Sequence, residues 1–382
     1  MQDHAPANLA APGVSDLDRV GLPYRGQVVY LYAYDVASEM RRGAIPSLLG
    51  QPVSTFSMEV GKRGPRDVFF FQPLMALLPP VTWESPLGPV QVQRSVKLFS
   101  VGAISLVFRV PFQVDSLESL VPFHELGLAQ QEARQLARQV VEDLRPYLIQ
   151  PLTELREEEA YTVFCLEWPS GQARMQAPSA QAWLDRHRHE VAALLTQETD
   201  HLTLAAQEIH ETTGRALSYY AHDLAVMDWD AALLIDRPGQ FDPTLHILEL
   251  ANVQLTELEA YDRMLDRALQ RAYSDVSGPT LRSRRTILRT LRELRVDMAR
   301  LSDELSNITK FFGDWHLARV YQSISDRLHL GDWGRTLEGK LRTLDDLYRI
   351  LRQDQMNIWM MTLEAAIVLL FIIDLIALFA GR

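Results

Sequence analysis

Cysteine is nearly absent from this sequence, since Cys165 is the only one among 382 residues. A single cysteine excludes an intramolecular disulfide and any metal cage built from several thiolates. It is compatible with a reducing compartment. Because Cys165 lies in the apolar run 161–166, we predict that it belongs to the core.

Positive charge is also scarce, since 38 Lys and Arg stand against 49 Asp and Glu, a formal net charge of −11. General binding to nucleic acid or anionic lipid depends on clustered cations, so any such contact must be local. The first 18 residues contain no Lys or Arg, and we therefore expect neither a secretory signal nor a transit peptide. Residues 1–25 predict a disordered tail.

Motifs for common enzyme chemistry are missing. The sequence contains no His-Glu-x-x-His, no Gly-x-Ser-x-Gly, no Walker spacing and no dinucleotide fingerprint. On a helix, His187 and His189 point about 200° apart and cannot share a metal ion. We therefore predict no metal site, no cofactor, no catalytic residue and no small-molecule substrate.

Short β-like runs separated by Gly and Pro dominate the first half of the chain. They predict strands at 28–32, 68–71, 90–99, 103–108 and 161–166. Between Leu126 and Leu148, apolar residues recur at helical spacing and predict a helix packed on the sheet. The sequence thus predicts an α+β head domain over 26–175.

The second half has a helical pattern. We predict helices at 180–212 and 214–235, and apolar stripes at 245–273 and 281–312. The turn residues between the two stripes predict a long antiparallel coiled-coil hairpin. With a stalk that follows it, this forms the all-α helical bundle that we predict over 176–355.

The most apolar segment is 356–380. From Ile358 to Ala380, a helix with about 1.5 Å rise per residue is long enough for a hydrocarbon core of about 30 Å. The sequence therefore predicts a tail-anchored protein with one C-terminal transmembrane helix. Lys and Arg precede this segment and only Arg382 follows it, which predicts single-pass insertion in the inner (cytoplasmic) membrane with the bulk of the protein cytoplasmic.

Two acids, Glu364 and Asp374, interrupt the apolar segment. An acid at mid-bilayer costs roughly 2.5–3.5 kcal/mol, and ten residues of helix place these two about 80° apart. One interpretation is that both face other copies of the chain, as the oligomer interface of a homo-oligomer in the membrane. The alternative is that both reach the headgroup layers.

Arg285, Arg289 and Arg292 share one face of a predicted helix and offer a basic contact face for RNA or a ribosome. We favour the other interpretation, in which this face is solvated and pairs with acids of the neighbouring helix.

A second set of polar residues suggests hydrolytic chemistry. Asp223 and Asp230, seven residues apart, would lie on one face of a helix, as a metal-dependent hydrolase or nuclease requires. Surface acids on a helix are the favoured interpretation. The aromatic residues of the second half are interpreted as core: Tyr219, Tyr220, Trp229, Trp315 and Trp333.

Three segments together resemble the required-for-meiotic-nuclear-division family. They contain the following residues: Leu363 and Glu364 followed by Asp374, then Phe311, Phe312, Trp315 and Tyr321, and finally Phe99 and Gly102. That family comprises membrane-anchored proteins, with a mitochondrial member that supports translation and bacterial members of unclear role. The resemblance implies an anchored, oligomeric protein and implies no catalytic residue.

Taken together, these patterns predict a membrane-tethered, self-associating scaffold or adaptor without catalytic activity. The alternatives are a membrane-associated metal-dependent hydrolase or nuclease that uses Asp223 and Asp230, and a translation-linked adaptor that reads RNA through its arginine face.

Overall fold

A computed structural model describes the chain from residue 23 to residue 380, with gaps. The described residues are 23–41, 45–56, 73–124, 126–152, 154–155, 158–168, 179–200, 202–277, 296 and 315–380. The chain divides into two compact units. The first comprises Met1–Glu257 and Glu304–Leu330, and the second comprises Leu258–Asp303 and Gly331–Arg382.

The first unit is built on a nine-stranded mixed sheet. Eleven strands are described in the chain: β1 (Tyr24–Asp35), β2 (Ala37–Met40), β3 (Ser47–Leu48), β4 (Gln51–Thr55), β5 (Leu74–Ser85), β6 (Gly88–Leu98), β7 (Ala103–Val114), β8 (Leu148–Pro151), β9 (Glu159–Glu167), β10 (Leu224–Met227) and β11 (Ala231–Asp236). The large sheet has the order β10-β11-β9-β1-β7-β6-β5-β4-β3, while β2 and β8 form a separate pair. Its described pairs are antiparallel except that between β11 and β9.

Among the described residues, the first α-helix begins after β7. The described α-helices are α1 (Gly127–Leu144), α2 (Ala180–Arg186), α3 (Arg188–Leu195), α4 (Ala206–Thr213), α5 (Asp242–Ser277), α6 (Trp315–Arg327) and α7 (Leu330–Ala380). Short 3-10 helices cover Glu118–Phe123 and Arg145–Tyr147.

One face of the sheet carries the main hydrophobic core. Side chains alternate between the two faces of a strand, and Tyr30 and Tyr32 of β1 lie beside Phe108 of β7 on this face. Helix α1 supplies a stripe of small and aliphatic residues to the same core, among them Ala133 and Val140, both fully buried. These small residues let the helix pack close to the sheet.

The opposite face is covered by the first half of α5. Lys97 of β6 and Arg109 of β7 point to this side and pair with Glu249 and Asp242 of that helix. Asn252 of the same helix donates a hydrogen bond from its side-chain nitrogen to the carbonyl oxygen of Glu159 in β9, at 3.0 Å. The sheet is therefore buried on both faces, which explains why seven consecutive residues of β1, from Val28 to Tyr34, are all buried.

Residues 224–236 form two strands, where the sequence predicted a helix over 214–235. Both runs, Leu224–Met227 and Ala231–Ile235, are buried throughout. A short run that is buried on all sides has no amphipathic period, so periodicity cannot separate strand from helix there. Parallel pairing of β11 with β9 decides the outcome, because tertiary context overrides the helix propensity of alanine and leucine.

The second unit pairs the later part of α5 with the first part of α7. Leu265 and Ala272 of α5 are buried, as are Leu337 and Leu344 of α7, so the predicted apolar stripe at 245–273 lies on a helix with buried residues. Lys340 Nζ lies 2.6 Å from a carboxylate oxygen of Asp262 and 2.6 Å from one of Asp266. The other half of the predicted hairpin, 281–312, lies outside the described residues apart from residue 296.

In the part of the chain that the structure describes, no helix combines the length and the apolar character that a bilayer span needs. The predicted anchor at 356–380, its single-pass inner-membrane location and the tail-anchor assignment are therefore wrong. The physical reason lies in Glu364 and Asp374. Only nine residues, Ala365 to Ile373, form an unbroken apolar run between them, about 13 Å of helix against the roughly 30 Å of a hydrocarbon core.

The predicted fold class is also wrong. It was an α+β head domain followed by an all-α helical bundle or coiled-coil hairpin and one C-terminal transmembrane helix. The structure instead has a large mixed sheet that takes strands from both halves of the sequence. The predicted strands at 28–32, 90–99, 103–108 and 161–166 coincide with β1, β6, β7 and β9, while 68–71 lies outside the described residues.

Gly102 closes the turn between β6 and β7. Its φ is +97°, and a Cβ at this position would lie 1.8 Å from the carbonyl oxygen of Ala37. Its own carbonyl accepts hydrogen bonds from the N–H groups of Val36 and Ala37, at 3.0 and 3.2 Å. Both the left-handed backbone and the close approach require glycine here. This turn thereby fixes the start of β2 against the main sheet.

Gly102→Ala should destabilise the protein more than Gly88→Ala. Both glycines have φ of +97°, but nothing lies within 4 Å of a Cβ added at Gly88. The shared backbone strain costs about 1–3 kcal/mol, and displacing Ala37 should add roughly 2 kcal/mol or more at Gly102. Urea denaturation of both variants measures the difference. Equal free energies of unfolding would show that the contact with Ala37 contributes nothing.

Candidate functional site

The two acids of the predicted hydrolase pair, Asp223 and Asp230, lie at opposite ends of one β-hairpin. Asp223 precedes β10, and Asp230 lies in the turn that leads into β11. Four residues of strand separate the two ends, which is roughly 13 Å at about 3.3 Å per residue. The structure therefore does not bring these carboxylates together, and the hydrolase alternative loses the geometry on which it depended.

Asp223 has a structural role in the loop before β10. It is 9% exposed, and its carboxylate accepts hydrogen bonds from the backbone N–H groups of Tyr219 (2.7 Å) and Tyr220 (3.0 Å). Burial raises the pKa of the neighbouring Asp236 to about 6; the backbone N–H of Arg237 opposes this shift and the Asp223 carboxylate adds to it. Two acids thus lie at one end of the hairpin, where ionisation of Asp236 is less favourable than in water.

At the other end of the hairpin lies a polar cleft of about 420 Å³. Its walls come from the turn between β10 and β11, from the end of α3, from α4 and from the last residue of α6. Arg327 ties these elements together, because its guanidinium donates to the carbonyl oxygen of Glu211 and lies 3.7 Å from the Asp228 carboxylate.

The turn beside the cleft is held from inside the sheet. The hydroxyl of Tyr161 donates to the carbonyl oxygens of Asp228 and Ala231, at 2.9 and 3.0 Å. The N–H of Thr162 donates to the carbonyl oxygen of Asp230 at 2.9 Å. The backbone of this turn is therefore preorganised by β9, and the side chains of Trp229 and Asp230 are left exposed on it.

Four aromatic residues that we interpreted as core lie on the surface. The exposed fractions are 56% for Tyr219, 60% for Tyr220, 54% for Trp229 and 84% for Trp315. That interpretation is wrong for these residues. Tyr219, Tyr220 and Trp229 lie in a loop and a hairpin turn where a helix was assumed, and Trp315 is the first residue of α6. Tyr321 is buried, and its hydroxyl donates to the side-chain oxygen of Gln254 at 2.5 Å.

A buried charge cluster lies between β6 and α5. Lys97 donates to Glu249, and His246 Nδ1 is 3.6 Å from the same carboxylate oxygen; the three residues are 7%, 2% and 2% exposed. Lys97 Nζ is also 3.9 Å from the ring centroid of Phe56. Burial alone would raise the pKa of Glu249, but the Lys97 ammonium and His246 hold it at about 2. Burial and Lys97 lower the pKa of His246.

Helix α7 carries a large exposed apolar surface, which we call the apolar segment and define as residues 359–376. Most of its large side chains are about half exposed or more: Trp359, Met360, Met361, Leu363, Ile367, Val368, Leu369, Leu370, Phe371, Ile372, Ile373, Leu375 and Ile376. Glu364 is exposed within it. Asp374 belongs to the same helix, but its side chain lies outside the described residues.

Several residues singled out from the sequence lie outside the described residues as well. These are Arg285, Arg289, Arg292, Phe311 and Phe312. Of the remaining motif residues, Phe99 is 3% exposed beside the turn at Gly102, and Leu363 is 65% exposed. The arginine face therefore stays a prediction.

Residues 25–242 match the family described as Uncharacterized protein MJ0711, N-terminal domain. The chain belongs to this family. The Uncharacterized protein MJ0711 of Methanocaldococcus jannaschii is 22% identical over 220 residues, which are 57% of this chain and 65% of that protein. The match thus covers less than two thirds of that relative. No solved structure matches.

The region that matches the MJ0711 N-terminal domain covers the large sheet and stops where helix α5 begins. It begins within β1 and ends at Asp242, the first residue of α5. It therefore includes every strand of the large sheet and the turn at the cleft, whereas Glu249, Arg327 and the apolar segment lie beyond it. Neither comparison bears on the required-for-meiotic-nuclear-division resemblance, which stays a prediction.

Sequence reasoning missed the buried pair of Lys97 and Glu249 and the contacts of Arg327. These partners are separated by 152 and 116 positions along the chain, respectively. Lys97 left one weak signal, because it interrupts an apolar run that otherwise extends from Val96 to Phe99. In the described residues, no group of three or more His, Cys, Asp or Glu side chains is arranged to hold a metal ion.

Lys97→Met should destabilise the protein by about 3–5 kcal/mol at pH 7, because it leaves the Glu249 carboxylate buried without its cation. The double variant Lys97→Met with Glu249→Gln should recover much of that loss. Lys340→Met removes the cation from Asp262 and Asp266 at a partly exposed site, and should cost about 1 kcal/mol or less. Chemical denaturation measures all three. If Lys97→Met alone has a free energy of unfolding at least as large as that of the double variant, the prediction that Lys97 compensates the buried Glu249 carboxylate is contradicted.

Asp236→Asn should stabilise the protein more at pH 8 than at pH 4. The folded-state pKa of Asp236 is raised from 3.8 to about 6. Its favourable contribution is therefore present below about 3.8 and is lost as the pH rises through 6, when the buried carboxylate must ionise. Asparagine removes this loss. Asp346→Asn, at an exposed aspartate, is the control. Thermal unfolding of both variants at pH 4 and pH 8 measures the effect. Equal changes in Tm for the two variants at each pH would refute the prediction.

Proposed function

We propose that this protein is a non-enzymatic scaffold or adaptor that self-associates through the apolar segment of α7. The observation that carries the proposal is the exposure of this segment. Every residue from Trp359 to Ile373 is exposed, and these fifteen residues make about four helical turns. The exposed apolar surface therefore surrounds the helix instead of forming one stripe.

A helix that is apolar all round is stable only when it is covered. Soluble monomers rarely expose contiguous apolar patches larger than a few hundred Å². The first part of α7 is different, because Leu337 and Leu344 are buried within their unit while charged residues such as Arg335 and Arg342 are exposed. The change in pattern along one helix supports a change of role, from packing within the chain to association between chains.

A second copy of the chain is the occupant that fits this surface. Its own apolar segment has the same length and is apolar on all sides, so several copies can cover one another in a bundle, whereas a groove would cover one side only. Burying one large apolar side chain contributes about 1.5–3 kcal/mol. Six such side chains contribute roughly 9–18 kcal/mol, which is comparable with the association cost of about 4–15 kcal/mol.

The acids of the segment also support assembly with defined order. Glu364 and Asp374 would recur at equivalent positions in each copy, so registers that bring like charges together are disfavoured. The resemblance to the required-for-meiotic-nuclear-division family is consistent with an oligomeric protein. An RNA or ribosome contact through Arg285, Arg289 and Arg292 stays a separate prediction.

The proposal predicts that the full chain forms an oligomer in solution. It also predicts that Leu370→Lys lowers the average mass of the assembly. Lysine at this position places a charge in the proposed interface, where burial is costly. Leu202→Lys is the matched control, because Leu202 is an exposed leucine of the first unit, 78% exposed against 65% for Leu370. Sedimentation equilibrium of the three proteins, from about one to tens of micromolar, measures the association.

We expect Leu202→Lys to assemble like the unchanged protein and Leu370→Lys to dissociate at least tenfold more readily, a change of about 1.4 kcal/mol. An unchanged protein that stays monomeric at tens of micromolar would overturn the proposal. A monomer that co-floats with uncharged lipid vesicles, and loses this binding in the Leu370→Lys variant, would also overturn it. Lipid would then cover the apolar segment.

A further inference from the structure

The cleft at the end of the β10–β11 hairpin is strongly acidic. Four carboxylates line it, those of Glu208, Glu211, Asp228 and Asp230, against the single guanidinium of Arg327. Arg327 lies 3.7 Å from Asp228 and so neutralises that carboxylate. Among the described residues, the other three acids form no ion pair. The cleft therefore presents three unneutralised negative charges to anything that enters it.

A buried hydroxyl lies in the wall of the same cleft. Thr212 lines the cavity and is only 2% exposed. Within the described residues its Oγ1 has no hydrogen-bond partner. Most buried hydroxyls are satisfied, so one left without a partner indicates a missing group. By contrast, the adjacent Thr213 donates to the carbonyl oxygen of Ile209 at 2.6 Å.

The exposed ring of Trp229 completes the arrangement. It lines the cleft and is 54% exposed, although its turn is fixed by the hydrogen bonds from Tyr161 and Thr162. A cation over the face of a tryptophan gains about 0.5–2 kcal/mol. An aromatic ring beside unneutralised carboxylates is a combination that favours a cationic organic ligand over a neutral one.

We propose that this cleft binds a small organic cation that carries primary ammonium groups. One ammonium donates to Asp230 and the acids of α4, the carbon chain lies along Trp229, and the hydroxyl of Thr212 accepts a hydrogen bond. A volume of about 420 Å³ is within the range of about 300–1,000 Å³ for small-molecule sites. None of the described residues that line the cleft belongs to the apolar segment, so this inference does not rest on self-association.

A bare metal ion fits this cleft less well. A divalent cation needs several oxygen ligands within about 2.0–2.6 Å of one point. In the described part of the chain no such group of side chains exists, and the guanidinium of Arg327 would repel the ion. Ammonium groups accept looser geometry, because each offers three donors on a flexible chain.

Spermidine is the probe for this proposal, titrated into the full chain by isothermal calorimetry at low salt. We expect saturable binding at one site per chain. Trp229→Leu and Asp230→Asn should each weaken it by about five- to tenfold. Trp315→Leu and Asp115→Asn are the matched controls, since each removes an exposed tryptophan or an exposed acid that does not line the cleft. Both controls should bind spermidine as the unchanged protein does.

Thr212→Val provides an independent arm. The substitution breaks no hydrogen bond among the described residues, so we expect undiminished thermal stability together with weaker spermidine binding. A purely structural threonine would give the reverse, a loss of stability without a change in affinity, and that result would count against the proposal.

Three outcomes would overturn the inference. The first is the absence of saturable heat with spermidine up to millimolar concentration. The second is equal weakening by the cleft variants and by their matched controls, which would show that spermidine responds only to the net charge of −11. The third is tighter binding of Mg²⁺ that displaces spermidine, which would make the cleft a site for inorganic cations.

Discussion

The parallel pairing of β11 with β9 is the interaction on which the first unit depends. It joins the hairpin at 224–236 to the rest of the sheet, from Ala231 opposite Thr162 to Asp236 opposite Glu167. Parallel strands need a long connection, and here α2, α3 and α4 lie within that connection. The same register places the turn of the hairpin over Tyr161, so the cleft exists only because these two strands align in this way.

The first half of α5 gives the sheet a second buried face with an unusual polar content. Helices that cover sheets are mostly apolar on the inner side, yet this one meets β6 with Glu249 and β7 with Asp242. The Lys97–Glu249 pair contributes less to stability than apolar contacts of the same size, because both of its charges are buried and lose their hydration, whereas Arg109 and Asp242 stay partly exposed. The buried pair does restrict how the helix can slide, since a shift of one turn would leave Lys97 buried without a partner.

Local patterns predicted β1, β6, β7, β9 and α1, because alternating or amphipathic runs such as 103–108 are recognisable in the sequence. They did not predict β5, although it spans twelve residues. They failed at 224–236, where both runs are buried on all sides and only the distant strand β9 distinguishes strand from helix. They failed again at 356–380, where length was counted through Glu364 and Asp374. The cleft was not predictable, because Thr212, Asp230 and Arg327 come from three separated segments that no spacing rule connects.

The hydroxyl of Tyr161 spans the two carbonyl oxygens that flank the hairpin turn, those of Asp228 and Ala231. The shape of the turn is thereby set by a tyrosine from a different strand and owes little to the side chains the turn itself displays. Trp229 and Asp230 can be exchanged during evolution without loss of the loop conformation that presents them. The side chains that this turn displays can therefore change while the fold persists.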